Sequence, residues 1–306
     1  MRIAHVSDLH VLSHTGARWR QIVFNKRITG YANTLFHRGR VHRRDFLLKV
    51  LTTAAGAADQ LVVTGDITNL ALEHEYQDAA TLLEEAAKRI EVTVVPGNHD
   101  LYLPSLARER RFPRHFQSFF ETDLPELARD LPAGRFPCVK LRQGVAVIGL
   151  SSAVPRPPFV SAGRLGPVQL RALEHVLVHP EVRRRTPVVL VHHPPVDRRP
   201  SVLRFRDGLV DLPALQRVLA PLDRGALLFG HLHLRVRHEL GTCAGRLDVI
   251  GASGAALDHP DPSVRAGFNL YQFEEDGSLA SVEAHVLGPD GGAMQVLPMP
   301  PTPSSP

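Results

Sequence analysis

Two cysteines in 306 residues, Cys138 and Cys243, are too few for a disulfide framework, and neither sits in a C-x-x-C pair that would grip zinc or run thiol redox chemistry. They suit a reducing compartment and read as buried thiols. No stretch of about 18 apolar residues occurs, so no membrane-spanning helix is expected. The opening MRIAHVSDLH has no charged region followed by a long apolar run and reads as a first strand rather than a signal peptide. These absences make a cytoplasmic protein the expectation. Acidic residues are missing altogether between Val11 and Arg44, where Arg18, Arg20, Lys26, Arg27, Arg38, Arg40, Arg43 and Arg44 are all cationic. Taken over its whole length the chain is ordinary: 43% hydrophobic, 22% charged, with a net charge of +5 that points to an anionic partner.

Short β-branched runs alternate with helical periodicity. RIAHVS (2–7), QLVVTG (60–65) and EVTVVPG (91–97) read as strands. Between them, 45–58 places Phe46, Val50, Leu51 and Ala54 on one face, and 73–89 does so with Tyr76, Ala80, Leu83 and Ala87. Strand, helix, strand, helix, strand is a βαβαβ unit with parallel strands and right-handed crossovers. The second half repeats the alternation through 144–151, 167–177, 187–193, 212–219 and 226–233, then turns to strands at 234–240, 246–252, 268–274 and 279–286. The reading is one α/β domain with mixed sheets over 1–290, carrying a basic amphipathic insertion at 11–44, and a disordered Pro/Ser-rich tail at 291–306.

Each apolar strand of the α/β part ends in a group able to bind a metal. The first ends in Asp8 and His10, the second in Asp66, the third in Asn98 and His99, a later one in His192, and another in His231 and His233. Carboxyl ends of strands are where open α/β sheets place their ligand crevice. Residues two apart in extended chain point to one side, so Asp8 with His10, and His231 with His233, reach the same crevice. Asp8, His10, Asp66, Asn98, His192, His231 and His233 are too many ligands for one tetrahedral zinc and suit two ions sharing one carboxylate, for which Asp66 is the choice. Mixed imidazole and carboxylate donors suit Mn, Fe or Zn rather than Ca. Two such ions, about 3.5–4 Å apart, clamp a phosphate and lower the pKa of a shared water. His99 is then placed to stabilise charge or protonate the leaving oxygen, and Asp100 to orient that imidazole from behind. Other histidines, His5 among them, have no partner spacing and read as core or surface residues.

SDLH (7–10), TGDIT (64–68), PGNHD (96–100), VHHPP (191–195) and GHLHL (230–234) together resemble the calcineurin-like metallophosphoesterases. The resemblance implies a four-layer α/β/β/α sandwich with a dinuclear centre. It assigns Asp8, His10, Asp66 and His233 to one metal, and Asp66, Asn98, His192 and His231 to the other. It also favours His192 over His193 as the ligand. With GRLGPVQLRAL (163–173), the blocks are most similar to the bacterial class III cyclic nucleotide phosphodiesterase group.

The function expected is hydrolysis of a small phosphodiester or nucleotide, such as a cyclic nucleotide, by a hydroxide shared between two divalent ions. A pyrophosphatase acting on a nucleotide-linked lipid such as UDP-diacylglucosamine is the second reading, with 18–44 lying against an anionic membrane at its inner face. The same basic segment also suits capture of an anionic substrate, or plain packing on the body. A nuclease is third: the charge suits a polyanion, but no nucleic-acid module is recognisable, so a nucleic-acid partner is not expected.

Overall fold

A computed structural model describes residues 1–12 and 42–300. Nearly all of the basic segment, and with it the membrane contact expected of 18–44, lies outside the described residues, as does 301–306.

The first sheet is built on β1 (Arg2–Val6), β2 (Gln60–Val63) and β3 (Glu91–Val94), joined by α1 (Arg44–Ala57) and α2 (Glu73–Ala87). The three strands are parallel and level: Val6 pairs with Val63, and Val63 with Val94. Their carboxyl ends therefore reach one edge together. The second sheet contains β4 (Cys138–Leu141), β5 (Val145–Gly149), β6 (Thr186–Leu190), β7 (Ala226–Phe229), β8 (Val236–Gly241) and β9 (Arg246–Gly251). Here β5, β6, β7 and β9 run parallel, with β4 and β8 antiparallel at the edges. The chain then returns to the first sheet as β10 (Gly267–Phe273), β11 (Leu279–Leu287) and β12 (Met294–Pro298), giving the order β12-β11-β10-β1-β2-β3.

Strand alternation separates two cores. Val145, Val147, Val188, Leu190 and Leu228 point toward the first sheet and join its core. Their neighbours Ala146, Ile148, Val189, Val191, Leu227 and Phe229 form a second core with α3 (Gly166–Val178) and α5 (Leu212–Leu219), the short α4 (Ser201–Asp207) lying between those two helices in the chain. With α1 and α2 on the outer face of the first sheet, the layers are α/β/β/α, the sandwich that the resemblance implies. Each fully buried Val, Leu or Phe in these layers contributes roughly 1.5–3 kcal/mol.

Three details depart from the sequence reading. Met294–Pro298, assigned there to the tail, pair with β11 as an edge strand, where two half-buried apolar side chains suffice and Pro298 ends the ladder. Ala86, not Ala87, continues the buried face of α2. Cys243 is exposed, while Cys138 is buried as expected.

Candidate metal centre

The ligand-bearing loops leave their strands through backbone that most side chains avoid. Asp8 (φ 51°), His10 (42°), Asp66 (50°), His231 (67°) and His233 (53°) all adopt the left-handed region. Such residues cost on the order of 1–2 kcal/mol each and cluster where the surroundings fix them for a purpose. Two glycines make the crowding feasible. A Cβ on Gly97 would collide with the backbone nitrogen and Oδ1 of Asp66, and one on Gly230 would collide with Ser7 Oγ. We expect Gly97→Ala to push Asp66 out of place, costing about 1–3 kcal/mol of stability and most of the bound metal. Thermal melting and metal content check this; a variant that melts with the wild type and keeps its metal would show the close approach to be dispensable.

All seven candidate ligands meet at the edge of the two sheets. Asp8, His10, Asp66 and His192 form a buried floor, while Asn98, His231 and His233 line its opening and are partly exposed. On one side, His10 Nε2 lies 3.2 Å from His233 Nε2, and His233 Nε2 lies 3.1 Å from Asp8 Oδ1. On the other, His192 Nε2 stands 3.1 Å from Asn98 Oδ1, 3.2 Å from His231 Nδ1 and 3.4 Å from Asp66 Oδ1. Asp66 faces both ways. Its Oδ2 lies 3.9 Å from His10 Nε2, while its Oδ1 faces His192.

This geometry fits divalent cations. Two imidazole nitrogens each about 2.1 Å from one ion stand roughly 3.0–3.4 Å apart at octahedral to tetrahedral angles. His192 Nδ1 donates to the Thr64 carbonyl oxygen at 2.7 Å, which turns the Nε2 lone pair into the cluster. Asp8 Oδ1 is buried without a hydrogen bond of proper geometry. No Lys or Arg pairs with Asp8 or Asp66 among the described residues; only imidazoles do. Burial alone would push both carboxylates up, but His233 beside Asp8, and His192 and His99 beside Asp66, hold them below the usual range. Burial likewise opposes charge on His192, yet Asp66 and Asp8 push it up to about 9, whereas burial and the neighbouring His192 push His231 down to about 4. A buried pair of carboxylates demands compensating positive charge, which cations held by these seven donors would supply.

The family's model, described as calcineurin-like phosphoesterase, matches residues 1–235. The chain belongs to that family. It is 29% identical over 259 residues to a cAMP/cGMP dual specificity phosphodiesterase of Mycobacterium tuberculosis, covering 77% of this chain and 74% of that one. Among solved structures, a purple acid phosphatase from yellow lupin (Lupinus luteus) superposes with a TM-score of 0.63 at 12% identity, covering 99% of this chain and 54% of the other. A dimetal phosphatase from Danio rerio gives 0.54 at 14% identity, covering 98% and 99%. These two likenesses establish the fold.

Around the candidate ligands of this phosphoesterase, further side chains take definite places. His99 donates its backbone N–H to Asp66 Oδ1 at 2.8 Å, and its Nε2 faces the crevice 3.9 Å from Asp66 Oδ2. The group that orients its ring is the Asn69 carbonyl oxygen, 2.5 Å from Nδ1. Asp100, expected in that role, instead accepts from the backbone of Gly97, Ile67 and Thr68 and from Thr68 Oγ1, so it ties the Asp66 and Asn98 loops together. Burial and the charge of Asp66 push Asp100 up to about 6, but donors on both oxygens favour the carboxylate in this loop. The buried Glu75 accepts from Leu70 N and Leu72 N and so fixes the turn that carries Asn69. His193, the weaker ligand candidate, is engaged at both nitrogens, with Ser152 Oγ at 2.8 Å and the Ser161 carbonyl oxygen at 2.7 Å.

Sequence reasoning missed His42. Its ring packs edge-on to His10, with centroids 4.9 Å apart, and lies 6.2 Å from His233. An isolated bridge to Leu257 brings it there, and no motif spacing announces it. Behind the centre, His5 connects β1 to β10. Thr64 Oγ1 donates to Ser7 Oγ and so accepts from His5 Nε2, leaving His5 Nδ1 to accept from the Tyr271 hydroxyl. Burial pushes His5 down to about 3, so the ring is neutral. It is the structural histidine that the sequence implied. No helix among the described residues is long and apolar enough to cross a membrane.

Proposed function

We propose that this phosphoesterase hydrolyses a small phosphodiester, with a cyclic nucleotide as the foremost candidate. The observation that carries the reading is the Asp66 carboxylate, which turns one oxygen to each of two donor sets. Asp8, His10, Asp66 and His233 would hold one cation, and Asp66, Asn98, His192 and His231 the other, with Mn, Fe or Zn suiting these donors. Bound there, two divalent cations supply Lewis-acid charge for the phosphoryl oxygens and a water of lowered pKa as nucleophile.

The chain's own residues do the rest. The buried floor of Asp8, His10, Asp66 and His192 excludes bulk water and strengthens every charge interaction above it. Asn69 holds the His99 ring through Nδ1–H, so Nε2 is the nitrogen that passes a proton to the leaving oxygen. Asp100 keeps the Asp66 and Asn98 loops in register while the charge changes hands. The identity to a phosphodiesterase of M. tuberculosis supports a diester over a monoester.

We expect bis-(p-nitrophenyl) phosphate to be hydrolysed well ahead of p-nitrophenyl phosphate, with activity lost in chelator and restored by Mn, Fe(II) or Zn. Cyclic AMP, cyclic GMP and UDP-sugars are tested beside them. Activity confined to the monoester, or undiminished by chelation, would overturn the reading.

A further inference from the structure

We propose that the rim of the crevice on the His231 side is a docking surface for an anionic lipid bilayer. Three of the most exposed large apolar side chains among the described residues gather there: Phe205 at 82%, Phe159 at 76% and Val202 at 74% exposure. Val202 and Phe205 stand three apart on α4 and so share a face of that helix, which buries none of its residues. Phe159 comes from the loop after β5. That loop is held against α4 by Ser161 N donating to the Arg206 carbonyl oxygen and Gly163 N to that of Gly208, both at 2.9 Å.

Two features set this patch apart from ordinary surface scatter. Phe159 sits at φ 65°, a conformation costly for a bulky side chain, and no burial of its ring offsets the cost. Exposed cations also belong to this segment: Arg204 and Arg206 lie on α4, and Arg198 just before it, its side chain turned toward His238. Arg198 and Arg204 pair with no carboxylate among the described residues, and Arg206 meets only Asp207. The acids nearby are already engaged, Arg199 holding both Asp197 and Asp207. Exposed aromatic and aliphatic side chains on a helix that also carries arginines are what an interfacial helix presents to anionic headgroups. A seven-residue helix and one loop tip offer far less area than a stable protein interface requires.

The patch adjoins the centre. Ser161 accepts from His193 Nε2 at 2.7 Å, and the His193 ring lies 4.6 Å from that of His231. A bilayer seated on the patch therefore brings its headgroup layer to the mouth of the crevice. Docking itself does not rest on the hydrolytic reading, so each can fail without the other.

Sedimentation of the full chain with vesicles of phosphatidylcholine alone, or mixed with phosphatidylglycerol, at low and high salt, tests the proposal. Wild type is expected to bind the mixed vesicles and to be released by salt. The triple variant Phe159→Ser, Val202→Ser, Phe205→Ser should bind at least about tenfold more weakly, because its apolar groups no longer enter the interface. The double variant Arg204→Gln, Arg206→Gln should lose most of the preference for phosphatidylglycerol. Both should retain diester hydrolysis in solution, which shows that they fold. Wild type that ignores the mixed vesicles would overturn the proposal, as would a triple variant that binds as wild type does, since the contact would then lie elsewhere, in 18–44 for example. A concentration-dependent dimer seen by sedimentation and lost in the triple variant, without vesicle binding, would assign the patch to a second copy and overturn it too.

Discussion

Asp66→Ala should leave the protein without bound metal and lower diester hydrolysis by at least about 10³-fold, since several kcal/mol of transition-state stabilisation depend on the cations. The size follows from position: Asp66 is 2% exposed and addresses both donor sets, so its loss removes a ligand from each. Its Oδ1 also accepts from His99 N, so the alanine variant frees the 96–100 loop as well. Asp66→Asn separates the two effects. The amide can keep the hydrogen bond from His99 while removing the charge, and it should still bind metal poorly. Metal content by mass spectrometry after gel filtration decides the matter. Two equivalents of metal retained by Asp66→Ala would remove the bridging role.

His99→Gln should behave differently, keeping both metals while the rate falls about 10²- to 10⁴-fold on a substrate with a poor leaving group, the range for loss of a general acid. The loss should be much smaller on bis-(p-nitrophenyl) phosphate, whose leaving oxygen needs no proton. Equal losses on both substrates would remove the acid role, and loss of metal would reclassify His99 as part of the ligand set. The backbone contact from His99 N to Asp66 survives the substitution, so the bridging carboxylate stays in place.

The convergence of the seven candidate ligands was legible because each follows an apolar strand, and level strands bring their ends to one edge. Val6, Val63 and Val94 stand side by side, which places Asp8, Asp66 and Asn98 within one crevice. The four layers were implied by the family resemblance; the residues alone show that β6, where Val188 and Val189 are both apolar, is covered on both faces. Other features left no trace in residue type. The orienting group for His99 is a backbone carbonyl, which every residue possesses, so Asn69 carried no signal and Asp100, the nearest acid in sequence, took its place in the reading. His42 is brought beside the centre by its bridge to Leu257, a residue far from it in sequence, and periodicity cannot register such a pairing. The β12 strand was hidden by prolines that an edge position tolerates and an interior one would not.

The seven candidate ligands are divided between the two sheets. Asp8, His10, Asp66 and Asn98 extend from the first sheet, whereas His192, His231 and His233 extend from the second; His10 and His233 are 223 residues apart. Ions held by such distant partners would close long loops in a chain whose two thiols are both free, and would do the work a disulfide does elsewhere. Scarcity of metal would then slacken the seam between the two halves of the sandwich, making the protein's lifetime as well as its turnover a function of ion supply.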